Sequence, residues 1–450
     1  MEQQRHANYG LGMTVIGSIF FIFGFATTFI ITLSGQVKDI FELTEFKAQL
    51  LSFSFFITYF FISIPIGLYI KKIGYKSALI AGLLLMAAGS FLFFPAAKYL
   101  SFPLFLGATF VLASGVVFLQ TAANPYVTAL GSEESAGGRL NLVQALNSIA
   151  TMVAPWIIAV FIFRGASEML TSMQKAETVQ MPFIIIGIIV VLVGISIALI
   201  KLPDVVGSSA ELKKSVWKHP QVILGALGIF FYVGAEVGTG GLILNYLKTE
   251  MLLDPALAGK YVAIYWGGAM VGRFFGSIML SNITDQFKKY TYVVLVLLLA
   301  LVSGSFVTGW SWNIGLIFMI VAVANFILMQ LGKGNAGRSL AVFALIAATL
   351  AIVTAFTSGS VALWAVVSIG MFNSIMFPNI FTLAVKDLDP GELSTASGII
   401  NTLIFGGAII PLIMGKIADV SGYSWAFIVP AFCYLYIFFY AVKGSKLRSA

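Results

Sequence analysis

The feature that most constrains this chain is a series of apolar stretches, each near the roughly 20 residues a helix needs to cross a bilayer. They fall at about 12–34, 48–70, 77–97, 102–127, 139–163, 182–200, 221–247, 257–280, 291–309, 313–330, 340–356, 360–385, 394–415 and 423–443. Hydrocarbon offers no water to backbone N–H and C=O groups, so long continuous apolar runs of this kind are expected as helices. The expected class is an all-α membrane protein with fourteen spans. Composition agrees: 59% of the residues are hydrophobic and 10% charged, with a mean hydropathy of +0.99. Soluble domains carry about 25% charged residues. No segment is long or polar enough for a separate soluble domain. The N-terminus, MEQQRHANYG, is short and polar. The run after it is as long as a true span and lacks a small-residue cleavage site, so it reads as the first helix rather than a signal peptide. One cysteine, Cys433, excludes a disulfide framework, and with two histidines it leaves no metal cluster.

The net charge of +8 would suit nucleic acid, but its distribution indicates topology instead. With the N-terminus in the cytoplasm, the 26 Lys and Arg residues divide 18 inside and 8 outside, as the positive-inside rule requires. The inside set is led by Lys71, Lys72 and Lys76, by Lys201, Lys213, Lys214 and Lys218, and by Lys443, Lys446 and Arg448. Both termini are expected in the cytoplasm, and no nucleic-acid partner is expected.

An internal repeat refines the count. NPYVTALGSEESAGGRLNLVQALNS (124–148) resembles FPNIFTLAVKDLDPGELSTASGIINT (377–402). Each has a proline near a helix end, a polar turn, and an asparagine on the next helix. Pro125 to Asn147 is 22 residues and Pro378 to Asn401 is 23. From Gly67 to Pro125 is 58 residues, whereas the corresponding interval from Gly276 to Pro378 is 102. The surplus of 44 is the length of a two-helix hairpin. The expected organisation is therefore twelve core helices in a 6+6 repeat. Residues 1–200 form the first half, 201–220 a polar cytoplasmic linker, and 221–450 the second half, with a hairpin at about 288–332 between core helices 8 and 9.

Polar residues inside spans need a protein partner or a wet cavity. LQTAANPY places Gln120, Thr121 and Asn124 at the end of helix 4. Helix 5 carries Asn141, Gln144 and Asn147 as one stripe. Helix 7 holds Glu236 and Asn245 in FFYVGAEVGTGGLILNYL, a glycine-rich segment expected to be discontinuous. Tyr265, Trp266 and Arg273 follow in YWGGAMVGRFFG, then Asn373 and Asn379 in MFNSIMFPNIF, and Asn401. Any one amide also fits a role as interhelical glue; three on one helix, facing others on helices 4 and 7, favour a cavity. Arg139 and Arg273 read as cytoplasmic-end residues suited to snorkelling or gating. Glu236 is the one acid placed deep in a span, where ionisable groups are costly and point to function. It can carry a proton, or bind Na⁺ when ionised; a structural hydrogen bond is the alternative.

These stretches resemble the major facilitator superfamily, and within it the fucose–glucose/galactose–proton symporter family. The motifs LQTAANPYVTALG, RLNLVQALNS, YVGAEVGTGGLILNYL, YWGGAMVGRFFGS, FNSIMFPNIFTLA and GGAIIPLIMGKIAD carry the resemblance across core helices 4, 5, 7, 8, 10 and 11. It implies a major facilitator fold and a carrier that imports a monosaccharide by cation symport and alternating access, closer to the glucose/galactose branch. It implies sugar contacts for Gln120, Asn124, Gln144 and Asn147, and for Asn245, Trp266, Asn373 and Asn401. Ion coupling would fall to Glu236, and gating to Lys71, Lys72, Arg139 and Arg273. No cofactor is implied beyond H⁺ or Na⁺ as coupling ion. The chain is expected as a monomer in a bacterial inner membrane. Three departures stand out. The polar pair usual on the family's first helix is replaced by Ile30 and Ile31, a usual glutamine on the second by Ser52, and an acid on helix 4 of the fucose symporters by Gln120. A sugar uniporter, a symporter of another polar solute, or a non-transporting sugar sensor are the alternatives; the sensor lacks an output domain. No nucleophile–base pair or metal-ligand spacing suggests an enzyme.

Overall fold

In the computed structural model, residues 2–130, 136–162, 171–200, 202, 214–280, 283, 285–388 and 390–447 are described. Fourteen long helices account for nearly all of them. The first six are α1 (Tyr9–Phe41), α2 (Glu45–Gly67), α3 (Lys72–Lys98), α4 (Phe102–Asn124), α5 (Leu142–Ile162) and α6 (Ser172–Leu199). Next come α7 (Pro220–Thr249) and α8 (Pro255–Leu280), then α9 (Gln286–Val307) and α10 (Trp312–Gln330). The last four are α11 (Ala336–Phe356), α12 (Gly359–Val385), α13 (Ala396–Ser421) and α14 (Tyr423–Lys446). All but α8 are apolar and long enough to cross a membrane, 13 spans in total. The exception, α8, is 26 residues long, and its tyrosines, glycines and Arg273 lower its hydropathy. No strand occurs among the described residues. Fourteen helices running alternately up and down the bundle, α8 included, leave the start of α1 and the end of α14 at the same end, here called the terminal end, and the opposite one the far end.

Local chemistry sets the boundaries. Gly74, at φ 77°, kinks the chain in the first turn of α3, just past its junction with α2, in a conformation that side chains with a Cβ rarely adopt. Ser101 caps α4, with a proline in its first turn, and Thr171 and Gln174 form a capping box at α6. The helix of α4 runs on to Ala129, so Pro125 lies within its last turns instead of ending it.

The halves are α1–α6 and α7, α8, α11–α14. The α9–α10 hairpin, expected between core helices 8 and 9, packs on α8 and turns at Gly309 and Trp310, both with positive φ. Asp285 caps α9, and Asn325 of α10, fully buried, donates from Nδ2 to the Met371 carbonyl of α12 at 3.3 Å. The outer face is apolar and exposed at Leu295, Leu298, Ile320 and Ile327, as a lipid-facing surface requires. Phe306, Trp310 and Trp312 cluster at the hairpin turn, consistent with an aromatic belt at the interface. Asn325→Leu is expected to loosen the hairpin by about 0.6–2 kcal/mol, the range for such bonds between membrane helices. A lower thermal midpoint of the detergent-solubilised protein would register it; an unchanged midpoint would assign the anchoring to apolar packing alone.

The expected break in α7 does not occur: Pro220–Thr249 is one continuous helix. Its glycines are contact points. A Cβ at Gly240 would lie 2.7 Å from the Trp266 ring and one at Gly241 2.9 Å from Gln49 Oε1, while Gly234 and Gly238 receive Ile410 and Met414. The interruption falls on α12 instead, whose helix stops at Asn373 and resumes at Met376. A 3₁₀ turn also interrupts α13 at Leu403–Phe405, and α5 ends in a π-helix at Ile158–Ile162.

Candidate functional site

Glu236 sits near the middle of α7, partly exposed. Tyr232, one turn earlier on the same helix, donates its hydroxyl to Glu236 Oε1 at 2.8 Å. Tyr265 of α8 donates to the Glu236 backbone carbonyl at 2.9 Å. Asn373 of α12 donates from Nδ2 to the Tyr265 hydroxyl at 3.2 Å and accepts at Oδ1 from Tyr434 of α14 at 2.8 Å. Four helices of the second half thus converge on one acid through a chain of fully buried tyrosines and an amide. Such a network fixes side-chain positions, because each buried group depends on the next for its hydrogen bond. Trp266 stacks edge-on against Tyr265 at 5.3 Å, and its buried indole Nε1 makes no hydrogen bond. An unpaired buried donor costs roughly 1–3 kcal/mol, which a bound acceptor would recover.

Arg273 changes address relative to the sequence reading. It lies inside α8, two turns before its end at Leu280, and donates from Nη1 to Ser148 of α5 at 2.7 Å. The bond to Ser148 crosses from the second half to the first, so Arg273 takes part in the seam between them.

The other sequence-derived candidates separate into distinct groups. Gln120 accepts at Oε1 from the Tyr59 hydroxyl at 2.8 Å, which ties α4 to α2. Asn147 donates to the Phe20 carbonyl at 2.9 Å and presses on Gly24, so in this conformation its amide joins α1 to α5. Gln144, Asn124 and Asn401 are partly exposed in the described structure. Asn245 lies away from the site near the far end of α7, where it donates to Glu45 Oε2 at 2.9 Å. At the terminal end, Arg139 is buried and donates from Nε to the Val127 carbonyl at 2.9 Å within its own half. Lys72 is exposed, and Lys76 binds the carbonyls of Ala198 and Ile200 at the end of α6. The side chains of Lys71 and Asn141, and most of the linker 201–220, lie outside the described residues.

Tyr265 stood among the polar candidates of its helix, whereas Tyr232, Tyr434 and Ser148 were missed by sequence reasoning, because tyrosine and serine in an apolar span read as packing. The signal available was spacing: Tyr232 precedes Glu236 by four residues, one turn on the same face.

Two helical bundles joined at mid-depth by a polar, partly exposed seam, with a lone acid held by four helices, define a membrane carrier. The chain belongs to the Major Facilitator Superfamily, whose family profile matches residues 15–332. It is 40% identical to a glucose/galactose transporter of Brucella abortus, over 99% of this chain and 97% of that one. It is 30% identical to the L-fucose-proton symporter of Escherichia coli, over 98% and 94%. Among solved structures, the transporter FucP in its outward conformation superposes with a TM-score of 0.65 at 28% identity, covering 98% of this chain and all of that one. An inward-facing bacterial homologue of the lysosomal transporter Spinster superposes at 0.68, and at 13% identity it shares the fold alone.

Proposed function

We propose that this protein imports a monosaccharide, a hexose or deoxyhexose such as glucose, galactose or fucose, by cation symport and alternating access. It sits in a bacterial inner membrane as a monomer, with the terminal end in the cytoplasm. The observation that carries the reading is the Glu236 group at mid-depth, combined with 40% identity along nearly the whole chain to a relative named for glucose and galactose. Neutral sugars are read by amides, hydroxyls and stacked aromatics. Gln120, Gln144, Asn124, Asn147 and Asn401 supply the first kind, Tyr232 the second, and Trp266 the third. Glu236 is the coupling residue, taking up H⁺ or Na⁺.

A second reading, uniport, draws support from α1. Ile30 and Ile31 are buried in the apolar core where the family resemblance leads one to expect a polar pair, so the first half offers no acid at that place. The test is uptake of labelled glucose, galactose and fucose into proteoliposomes, with and without an imposed proton or Na⁺ gradient. Accumulation above the outside concentration under one gradient is the expected result. Equilibration unaffected by either gradient would establish uniport, and no uptake of any hexose, deoxyhexose or amino sugar would remove the sugar reading.

A further inference from the structure

Charged side chains of both halves meet again at the far end of the seam, remote from Glu236. Glu45, the first residue of α2, is only 1% exposed. Its carboxylate accepts from Gln49 Nε2 of its own helix at 2.8 Å, from Asn245 Nδ2 of α7 at 2.9 Å and from the Tyr423 hydroxyl of α14 at 2.8 Å. Lys38 of α1 lies 3.3 Å from Oε2 and also donates to the Tyr423 hydroxyl. The Tyr423 oxygen thus accepts from a cation of one helix and donates to an anion of another. Alongside, Lys248 of α7 pairs with Asp39 of α1, and the backbone N–H groups of Glu45 and Phe46 donate to the Asp419 carboxylate of α13 at 2.6 and 2.8 Å. Both α1 and α2 are thus bound here to the second half, through α7, α13 and α14.

Immediately behind this cluster the seam is buried but poorly satisfied. Gln49 Oε1 and Ser52 Oγ of α2 and Thr239 Oγ1 of α7 are buried without hydrogen bonds. Glu45, Gln49 and Ser52 recur at four and three residues, so they share one helix face, and Gln49 meets α7 at Gly241. Ser34 of α1 reaches the Gly241 carbonyl across the seam at 3.4 Å. In a permanent contact such groups are replaced by apolar ones or paired, because each unpaired group costs roughly 1–3 kcal/mol. On a surface that alternates between closed and wet, water pairs them in the other state.

We propose that Glu45 is the acid on which closure of the far end turns. Held by donors from both halves, it keeps them together there; released, it opens a path from the far side to the Glu236 group. The Gln49–Ser52 face then becomes the hydrated wall of that path. This rests on the alternating-access reading but on neither the sugar nor the coupling ion. Bonds to a charged acceptor are stronger than neutral ones, so a few of them can hold a seam whose remaining polar groups favour opening.

The test uses Ser34→Cys as a reporter, in protein reconstituted in nanodiscs and labelled with a bulky hydrophilic maleimide, without sugar or gradient. Ser34 is fully buried in the closed seam, and the native Cys433 is itself buried. The reporter protein is expected to label slowly. Glu45→Ala, which removes two charge-assisted bonds to the opposite half, is expected to speed labelling about ten- to hundred-fold. Glu45→Gln falls between the two. Tyr423→Phe keeps the ring and removes the bridging hydroxyl, and shifts the rate in the same direction by a smaller factor. Unchanged labelling in folded Glu45→Ala protein would overturn the proposal. Should that variant not fold, unchanged labelling in both Glu45→Gln and Tyr423→Phe would do the same. Failure of sugar uptake leaves this measurement standing, so the two readings fail separately.

Discussion

Glu236→Gln is expected to abolish gradient-driven accumulation while leaving sugar exchange within a few-fold of the parent. Glutamine keeps the size of the side chain and an acceptor oxygen, so the bond from Tyr232 at 2.8 Å can persist. The Tyr265 bond goes to the backbone carbonyl and is indifferent to the side chain. What the substitution removes is the ability to change charge. A coupled carrier needs a group that binds the ion in one half-cycle and releases it in the other, and an amide does neither. Exchange of bound sugar across the membrane requires only that the loaded carrier reorient. The neutral amide mimics the protonated acid, so exchange should survive. If coupling is by Na⁺, the variant should also lose any Na⁺ enhancement of sugar binding. Measurement of uptake under a proton gradient, and of counterflow without one, separates the effects. Accumulation at the parent level would leave Glu236 a structural acceptor. Loss of both activities together would assign it to sugar binding.

The same site shows how far the sequence reached. Apolar stretches near spanning length, the positive-inside asymmetry and the 58-against-102 residue spacing located fourteen helices and the extra hairpin, because hydropathy and length act locally along the chain. Glu236 was legible for the same reason: a carboxylate amid apolar residues stands out in one dimension. Asn373 and Tyr265 also stood among the polar candidates, but their convergence with Tyr232 and Tyr434 on Glu236 was not legible, since these residues come from α7, α8, α12 and α14 and meet only when those helices pack. The glycines of α7 illustrate the reverse error. Their local effect, weak helix propensity, suggested a break, but close packing against Trp266, Gln49 and Met414 stabilises an unbroken helix. Glu45 escaped attention because it begins a helix beside a short loop, where an acid is ordinarily solvated. In the packed bundle it is buried among Lys38 and Gln49 of its own half and Asn245 and Tyr423 of the other. The family resemblance implied a sugar contact for Asn245, and in the packed structure its amide donates to Glu45.

Gly370→Ala is expected to damage the site more than any single polar deletion around it. At the crossing of α8 and α12 the two backbones touch. A Cβ on Gly370 would fall inside the Tyr265 carbonyl, and one on Gly268 would lie 2.8 Å from the backbone nitrogen of Met371. Small residues at such crossings let membrane helices approach closely, and packing at the crossing supplies much of their association. Because the obstacle is backbone, no rotamer change can absorb the methyl group; the helices must move apart. Overpacking of this kind costs about 1–3 kcal/mol. It also pulls Tyr265 away from both the Glu236 carbonyl and Asn373, since that tyrosine sits at the point of contact. The expected outcome is a lower thermal midpoint together with loss of sugar accumulation. Gly107→Ala is the control: nothing lies within 4 Å of its added Cβ, and it sits in the exposed part of α4. There the higher helix propensity of alanine, up to about 1 kcal/mol over glycine, leaves stability equal or improved. Fluorescence-detected thermal unfolding of both variants, alongside uptake, makes the comparison. A Gly370→Ala protein as stable and active as Gly107→Ala would mean that the α8–α12 crossing does not hold Tyr265 in place.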